Sequence, residues 1–119
     1  MEIKRELLEL MLAVAKENHP NEIVALITGR KGIGEELIFL PFESGETMAI
    51  IHTDMLPLGM KILGSFHSHP RPILEPSQAD LSMFSRIGKF HIIVAYPYDK
   101  KSWRCFDRYG NEIEVKILD

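Results

Sequence analysis

Residues 62–80 read ILGSFHSHPRPILEPSQAD, and this stretch organises everything around it. Ile62 to His67 is a largely apolar run of strand length, closed by His69-Pro70. Arg71 to Pro76 includes Pro72 and Pro76 and reads as a loop. From Ser77 to Ile87, the residues Leu81, Phe84 and Ile87 recur at helical spacing. The stretch is therefore strand, loop, helix. Side chains two apart on a strand leave by the same face, so His67 and His69 project together. Ser77 and Asp80 are three apart and share one face of the helix.

Two imidazoles converging in this way make half of a tetrahedral zinc site, with bonds of about 2.0–2.1 Å. A third ligand must come from elsewhere, and Asp80 on the following helix is within reach. A His2Asp set leaves the fourth position open, as a catalytic rather than a structural zinc requires. Water at such a metal has its pKa lowered to about 7, which provides hydroxide at neutral pH. Each piece alone also has a plainer reading. A His-x-His pair is common, and Ser77-x-x-Asp80 is a helix-capping pattern that Pro76 suits equally well. Capping does not call for paired histidines one loop upstream, so the whole string points to a metal.

Outward from this stretch, Ile3, Leu7, Leu10, Met11, Val14 and Ala15 predict a helix over 3–17. His19-Pro20-Asn21 ends it, since proline disfavours helical geometry in the residue before it. Ile23 to Thr28 reads as a strand stopping at Gly29, with a turn over Lys31-Gly32-Ile33-Gly34. Leu37 to Phe42 and Met48 to His52 are further strands, parted by Ser44-Gly45. His91 to Tyr96, Ser102 to Asp107 and Ile113 to Leu118 complete the set, with Tyr109-Gly110-Asn111 as a hairpin turn. No repeat, linker or low-complexity tract interrupts the order. The expectation is one compact α/β domain over 1–119, a mixed sheet flanked by two helices.

The 119 residues suit one domain, and 45% apolar with 26% charged is ordinary globular composition. A net charge of −3 gives no electrostatic case for nucleic acid. Charges run through the first residues (Glu2, Lys4, Arg5, Glu6, Glu9), against the apolar core of a signal peptide. No stretch approaches the roughly 20 apolar residues that span a bilayer. Cys105 is the single cysteine, which leaves no disulfide within the chain and no multi-cysteine zinc site. A cytoplasmic protein without membrane or nucleic-acid partners is expected.

His67-Ser68-His69-Pro70, the seven residues from His69 to Ser77, and Ser77-x-x-Asp80 closely resemble the JAMM motif of the MPN+ metalloproteases. Upstream, Pro20-Asn21-Glu22 leading into Ile23-Val24-Ala25-Leu26-Ile27-Thr28-Gly29 resembles that family's glutamate-bearing strand. The order of strands and helices matches over essentially the whole chain, and small archaeal and bacterial members are the nearest in size. The resemblance implies an MPN fold related to cytidine deaminases. Deaminase chemistry itself is not expected, because the Pro-Cys-x-x-Cys ligands are absent. It implies one zinc per chain on His67, His69 and Asp80, Glu22 as general base and then acid, and Ser77 as oxyanion donor. The residues alone do not single out Glu22 from Glu2, Glu6, Glu9, Glu17, Glu35 or Glu36.

The implied activity is hydrolysis of amide or isopeptide bonds after the C-terminal glycine of a ubiquitin-like protein, small archaeal modifiers and sulfur carriers included. The substrate's tail would add as a strand beside the site. The rival readings are a non-catalytic MPN scaffold binding ubiquitin-like partners and a zinc hydrolase of small amides or peptides; metal storage suits an open site poorly. One departure concerns the segment Arg71 to Pro76, which lacks a cysteine that several relatives carry there. A redox link at that position does not carry over. Cys105, beside Trp103 and Phe106, reads as a core residue.

His19, His52 and His91 lack ligand-like spacing and read as structural or solvated, and Arg86 and Lys89 as a solvated helix end. Gly29 to Gly34 lacks the lysine and hydroxyl of a phosphate loop. Asp54-Met55-Leu56-Pro57-Leu58-Gly59-Met60 is an apolar connection that packs on the core or, alternatively, meets a protein substrate or a second copy of the chain in a homodimer.

Overall fold

The computed structural model describes residues 1–39 and 59–119. The expected strand Met48 to His52, the end of Leu37 to Phe42, His52 itself and most of the Asp54 to Met60 segment lie outside these residues. Met60, at that segment's end, is buried.

The described elements are β1 (Glu2–Lys4), α1 (Arg5–Asn18), β2 (Val24–Arg30), β3 (Ile33–Phe39), β4 (Lys61–His69), α2 (Gln78–Phe84), β5 (Phe90–Ala95), β6 (Trp103–Asp107), β7 (Glu112–Ile113) and β8 (Lys116–Leu118). The strands join in one mixed sheet in the order β7-β6-β5-β4-β2-β3-β1-β8. The pairs β1/β3, β1/β8 and β4/β5 are parallel, and the others antiparallel. This is the mixed sheet with two helices that the residue pattern predicts.

β2 runs past Gly29 to Arg30, β4 continues through His69, and α2 stops at Phe84 rather than Ile87. Three further differences follow from pairing. The first helix begins at Arg5, not Ile3, because Glu2 and Ile3 extend into parallel pairs with both β3 and β8. The turn after β2 is only Lys31-Gly32, at φ 56° and 75°. Positive φ at both central residues is what a two-residue hairpin loop needs to follow the strands' twist, so Ile33 and Gly34 already belong to β3. The single C-terminal strand expected over 113–118 is two short ones, β7 on β6 and β8 on β1.

That last split shapes the sheet. β7 and β8 stand at opposite ends of the strand order, yet only Glu114 and Val115 separate them. Three extended steps reach about 10 Å, so the two edges of the sheet must lie close together. The sheet is curled, and α1 fills the curl. Leu7, Leu8, Met11 and Ala15 of α1 pack with Ile3, Ala25, Ile27, Phe66, Ile92 and Val94, and Ile113, Val115 and Ile117 close in from the edges. The outer face of β4, β5 and β6 carries a smaller cluster in which Phe84 of α2 meets Ile93 and Phe106. Strand alternation therefore sends Phe66 inward to α1, and Ser65, His67 and His69 outward to the α2 side.

Candidate metal centre

β4 ends on the two histidines and α2 begins at Ser77, so the strand, the loop and the helix start converge. His67 is buried and His69 half-buried. The Asp80 carboxylate lies between the two rings, with Oδ1 3.3 Å from His67 Nδ1 and Oδ2 2.9 Å from His69 Nε2. Asp80 also completes a capping box. Its backbone N–H donates to Ser77 Oγ at 3.1 Å, while its Oδ2 accepts from the Ser77 N–H at 2.9 Å. The capping reading is realised, and the same carboxylate also lies between the two histidine rings.

The loop holds the second histidine. His69 Nδ1 donates to the Ile73 carbonyl at 2.8 Å, which leaves Nε2 as the atom facing Asp80. A backbone acceptor behind a histidine fixes its tautomer and ring orientation. His67 is held from behind too: its Nε2 meets Ser65 Oγ at 2.7 Å, and Ser65 Oγ meets His91 Nδ1 at 2.5 Å.

Burial pushes the His67 imidazole down to about 4, only partly countered by Asp80, so this ring is neutral at pH 7. The hydrogen bond to Asp80 raises His69, burial opposes it, and the Glu22 charge adds a little in the same direction as Asp80. Burial alone would push the Asp80 carboxyl up, but the hydrogen bonds from His69 and the Ser77 amide outweigh it and leave it at about 2. Asp80 is thus ionised and His67 neutral near pH 7, the protonation states a metal requires of its ligands.

Zinc bonded at about 2.0–2.1 Å holds neighbouring tetrahedral ligands about 3.3 Å apart. The His67–Asp80 contact matches that separation, and the His69–Asp80 contact is shorter because the donors are drawn together by a hydrogen bond. Among the described residues no three His, Cys, Asp or Glu side chains already stand spread around a common metal-sized centre. The donor chemistry fits zinc, with two imidazoles and one carboxylate converging on one corner.

Glu22 is exposed just before β2. β2 pairs β4 with Val24 opposite His67. Ile23 and Ser68 continue that ladder, since the Ser68 N–H donates to the Ile23 carbonyl at 3.0 Å and the Ile23 N–H to Ser68 Oγ at 2.7 Å. The next position in register sets Glu22 across from His69. Ser77 is exposed at the mouth of the same corner. The structure therefore brings all five sequence-indicated residues to one end of β4.

Sequence reasoning passed over Ser65, Ser68 and the Ile73 carbonyl, and took His91 as an isolated structural or solvated ring. His91 is fully buried, but it is linked to His67 through Ser65. The signal was present only as parity: Ser65 shares its face with His67 and His69, while the pairing of Ser65 with His91 needs the β4/β5 register. His19 is also less isolated than expected, with Nδ1 2.8 Å from the Tyr98 hydroxyl. Cys105 is buried as expected, and burial pushes its thiol up to about 12.

Residues 4–106 match the family described as prokaryotic homologs of the JAB domain. The chain is 34% identical to a probable metalloprotease of Haloferax volcanii, covering 98% of this chain and 79% of that protein. Among solved structures, a JAB1/MPN domain protein from Archaeoglobus fulgidus is 49% identical with full coverage of both chains and a TM-score of 0.86. Another, described as "JAMM: a metalloprotease-like zinc site in the proteasome and signalosome", is 44% identical over 100% of this chain and 98% of that one, with a TM-score of 0.81. A protein from Desulfitobacterium hafniense, 23% identical over 99% of this chain and 92% of that one, shares the fold at a TM-score of 0.68. The chain belongs to the prokaryotic JAB-domain family. It is a JAMM/MPN+ protein of the metallohydrolase class.

Proposed function

We propose that this chain is a zinc-dependent protease that hydrolyses amide and isopeptide bonds after the C-terminal glycine of ubiquitin-like proteins. The observation that carries the proposal is the Asp80 carboxylate set between His67 Nδ1 and His69 Nε2, with Glu22 in register across from His69. The relationship to a probable metalloprotease and to a protein with a metalloprotease-like zinc site supports the same reading.

His67, His69 and Asp80 would hold the metal. Zinc, when bound there, polarises a carbonyl and lowers the pKa of water to about 7. Glu22 takes the proton from the attacking water and hands it to the departing amine, which its exposed position at the mouth allows. Ser77 Oγ accepts from the Asp80 amide, so its own hydrogen is left to donate to the developing oxyanion. The ubiquitin-like substrate class rests on the motif resemblance. The single buried Cys105 supports action in the reducing cytoplasm.

Elemental analysis of the parent chain and His67→Ala, beside cleavage of a ubiquitin-like fusion, tests the proposal. One zinc per parent chain, its loss in His67→Ala, and cleavage by the parent alone are expected. A parent that takes no zinc after supplementation would leave Ser77 and Asp80 as a cap on a partner-binding scaffold. Zinc with cleavage only of short peptides would replace the substrate class with small amides.

A further inference from the structure

We propose that Ser65 and His91 form a positioning relay that fixes the His67 ring for metal binding, an inference that rests on the zinc reading of the site. His91 is an odd residue for its place. It is fully buried, lies flat on Phe84 with ring centroids 4.2 Å apart and planes 7° apart, and its Nε2 has no hydrogen-bond partner among the described residues. An apolar ring would fill that space without stranding a polar nitrogen. The polar connection it does make runs through Ser65, which is also fully buried, to His67.

The proton directions along this chain are constrained. His67 turns Nδ1 toward Asp80 and Nε2 toward Ser65. To give a metal the Nδ1 lone pair, neutral His67 must carry its proton on Nε2 and donate it to Ser65 Oγ. The Ser65 hydroxyl hydrogen then goes to His91 Nδ1, which must be the bare nitrogen, and the His91 proton is left on Nε2. Each donor and acceptor along the chain then has one role. Without metal the chain runs the other way: His91 Nδ1–H to Ser65, Ser65 O–H to His67 Nε2, and His67 Nδ1–H toward Asp80 Oδ1. The relay holds the His67 ring in place in either direction and supplies an acceptor for its Nε2 proton when Nδ1 is given to a metal. The Ile73 carbonyl, which can only accept, fixes the tautomer of His69.

The test measures zinc affinity, by competition with a chromogenic chelator, for the parent, Ser65→Ala, Ser65→Thr, His91→Phe and His91→Asn, alongside the Tm of each metal-free chain. Ser65→Ala and His91→Phe should bind zinc about 10- to 100-fold more weakly, as for other groups that orient a metal-bound histidine. Ser65→Thr keeps the hydroxyl and His91→Asn keeps a polar atom near Nδ1, so both should recover part of the loss. In the zinc-loaded parent, nitrogen-15 NMR should find His67 protonated on Nε2 and His91 on Nε2. Parent-like affinity in both Ser65→Ala and His91→Phe overturns the relay while the zinc reading stands. If those variants fail to fold, the NMR on the parent decides, and His67 unprotonated on Nε2 overturns the relay. A parent that takes no zinc overturns both proposals.

Discussion

Ser77 and Asp80 each carry two tasks, and substitutions can separate them. Ser77→Ala removes the acceptor for the Asp80 amide, which should lower stability by about 1 kcal/mol in urea unfolding. If Ser77 also donates to the oxyanion, turnover should fall roughly a hundredfold or more. Lost stability with parent-like turnover would leave it a cap alone. Glu22→Gln leaves the cap and the three ligand side chains in place, so it should keep zinc and fold while turnover falls by about 10²–10⁴. Loss of zinc in that variant would mean Glu22 has a different role. At this scale, His67, His69, Ser77 and Asp80 could be read from the sequence because they lie within one strand, loop and helix, where spacing fixes direction. Glu22 needed the motif resemblance, and Ser65 with His91 needed the β4/β5 register, which no local pattern carries.

β4 and β5 form the floor of the site, and their parallel pairing is close. A Cβ added at Gly64 would lie 1.5 Å from the Phe90 carbonyl oxygen. Gly64→Ala should therefore cost about 3 kcal/mol or more, measured by denaturant unfolding, and weaken zinc binding with it. The same floor gives a pH dependence. Burial lowers His91 to about 3 and His67 to about 4, against about 6.5 when unfolded. Between those values the unfolded chain binds more protons, so their contribution to stability is full above pH 6.5 and declines as pH falls. His69, raised by Asp80, works in the opposite direction. Metal-free parent should lose stability between pH 7 and 5, and His91→Phe should show a shallower slope, by up to about 1.4 kcal/mol per pH unit. Equal slopes would contradict the neutral buried state of His91. Most element types followed from periodicity. The edges did not: β1 and the β7/β8 split exist only because distant strands supply partners for three-residue segments.

For the whole molecule, the curl of the sheet around α1 leaves the opposite face of β4 to α2 and the site. Two residues joining opposite sheet edges are what reveal that curl, and a sequence reading cannot see them as a bridge. The protease reading predicts that a folded ubiquitin-like conjugate is cleaved with higher kcat/KM than a short peptide carrying the same scissile bond, since the conjugate offers surface beyond the tail. Equal values would favour small amides as substrates. The most direct test of the central claim is cleavage of a ubiquitin-like fusion by one preparation before chelation, after chelator removal of metal, and after zinc is restored. The account predicts activity, its loss, and its recovery to the starting rate; undiminished cleavage by chain shown to be metal-free would contradict it.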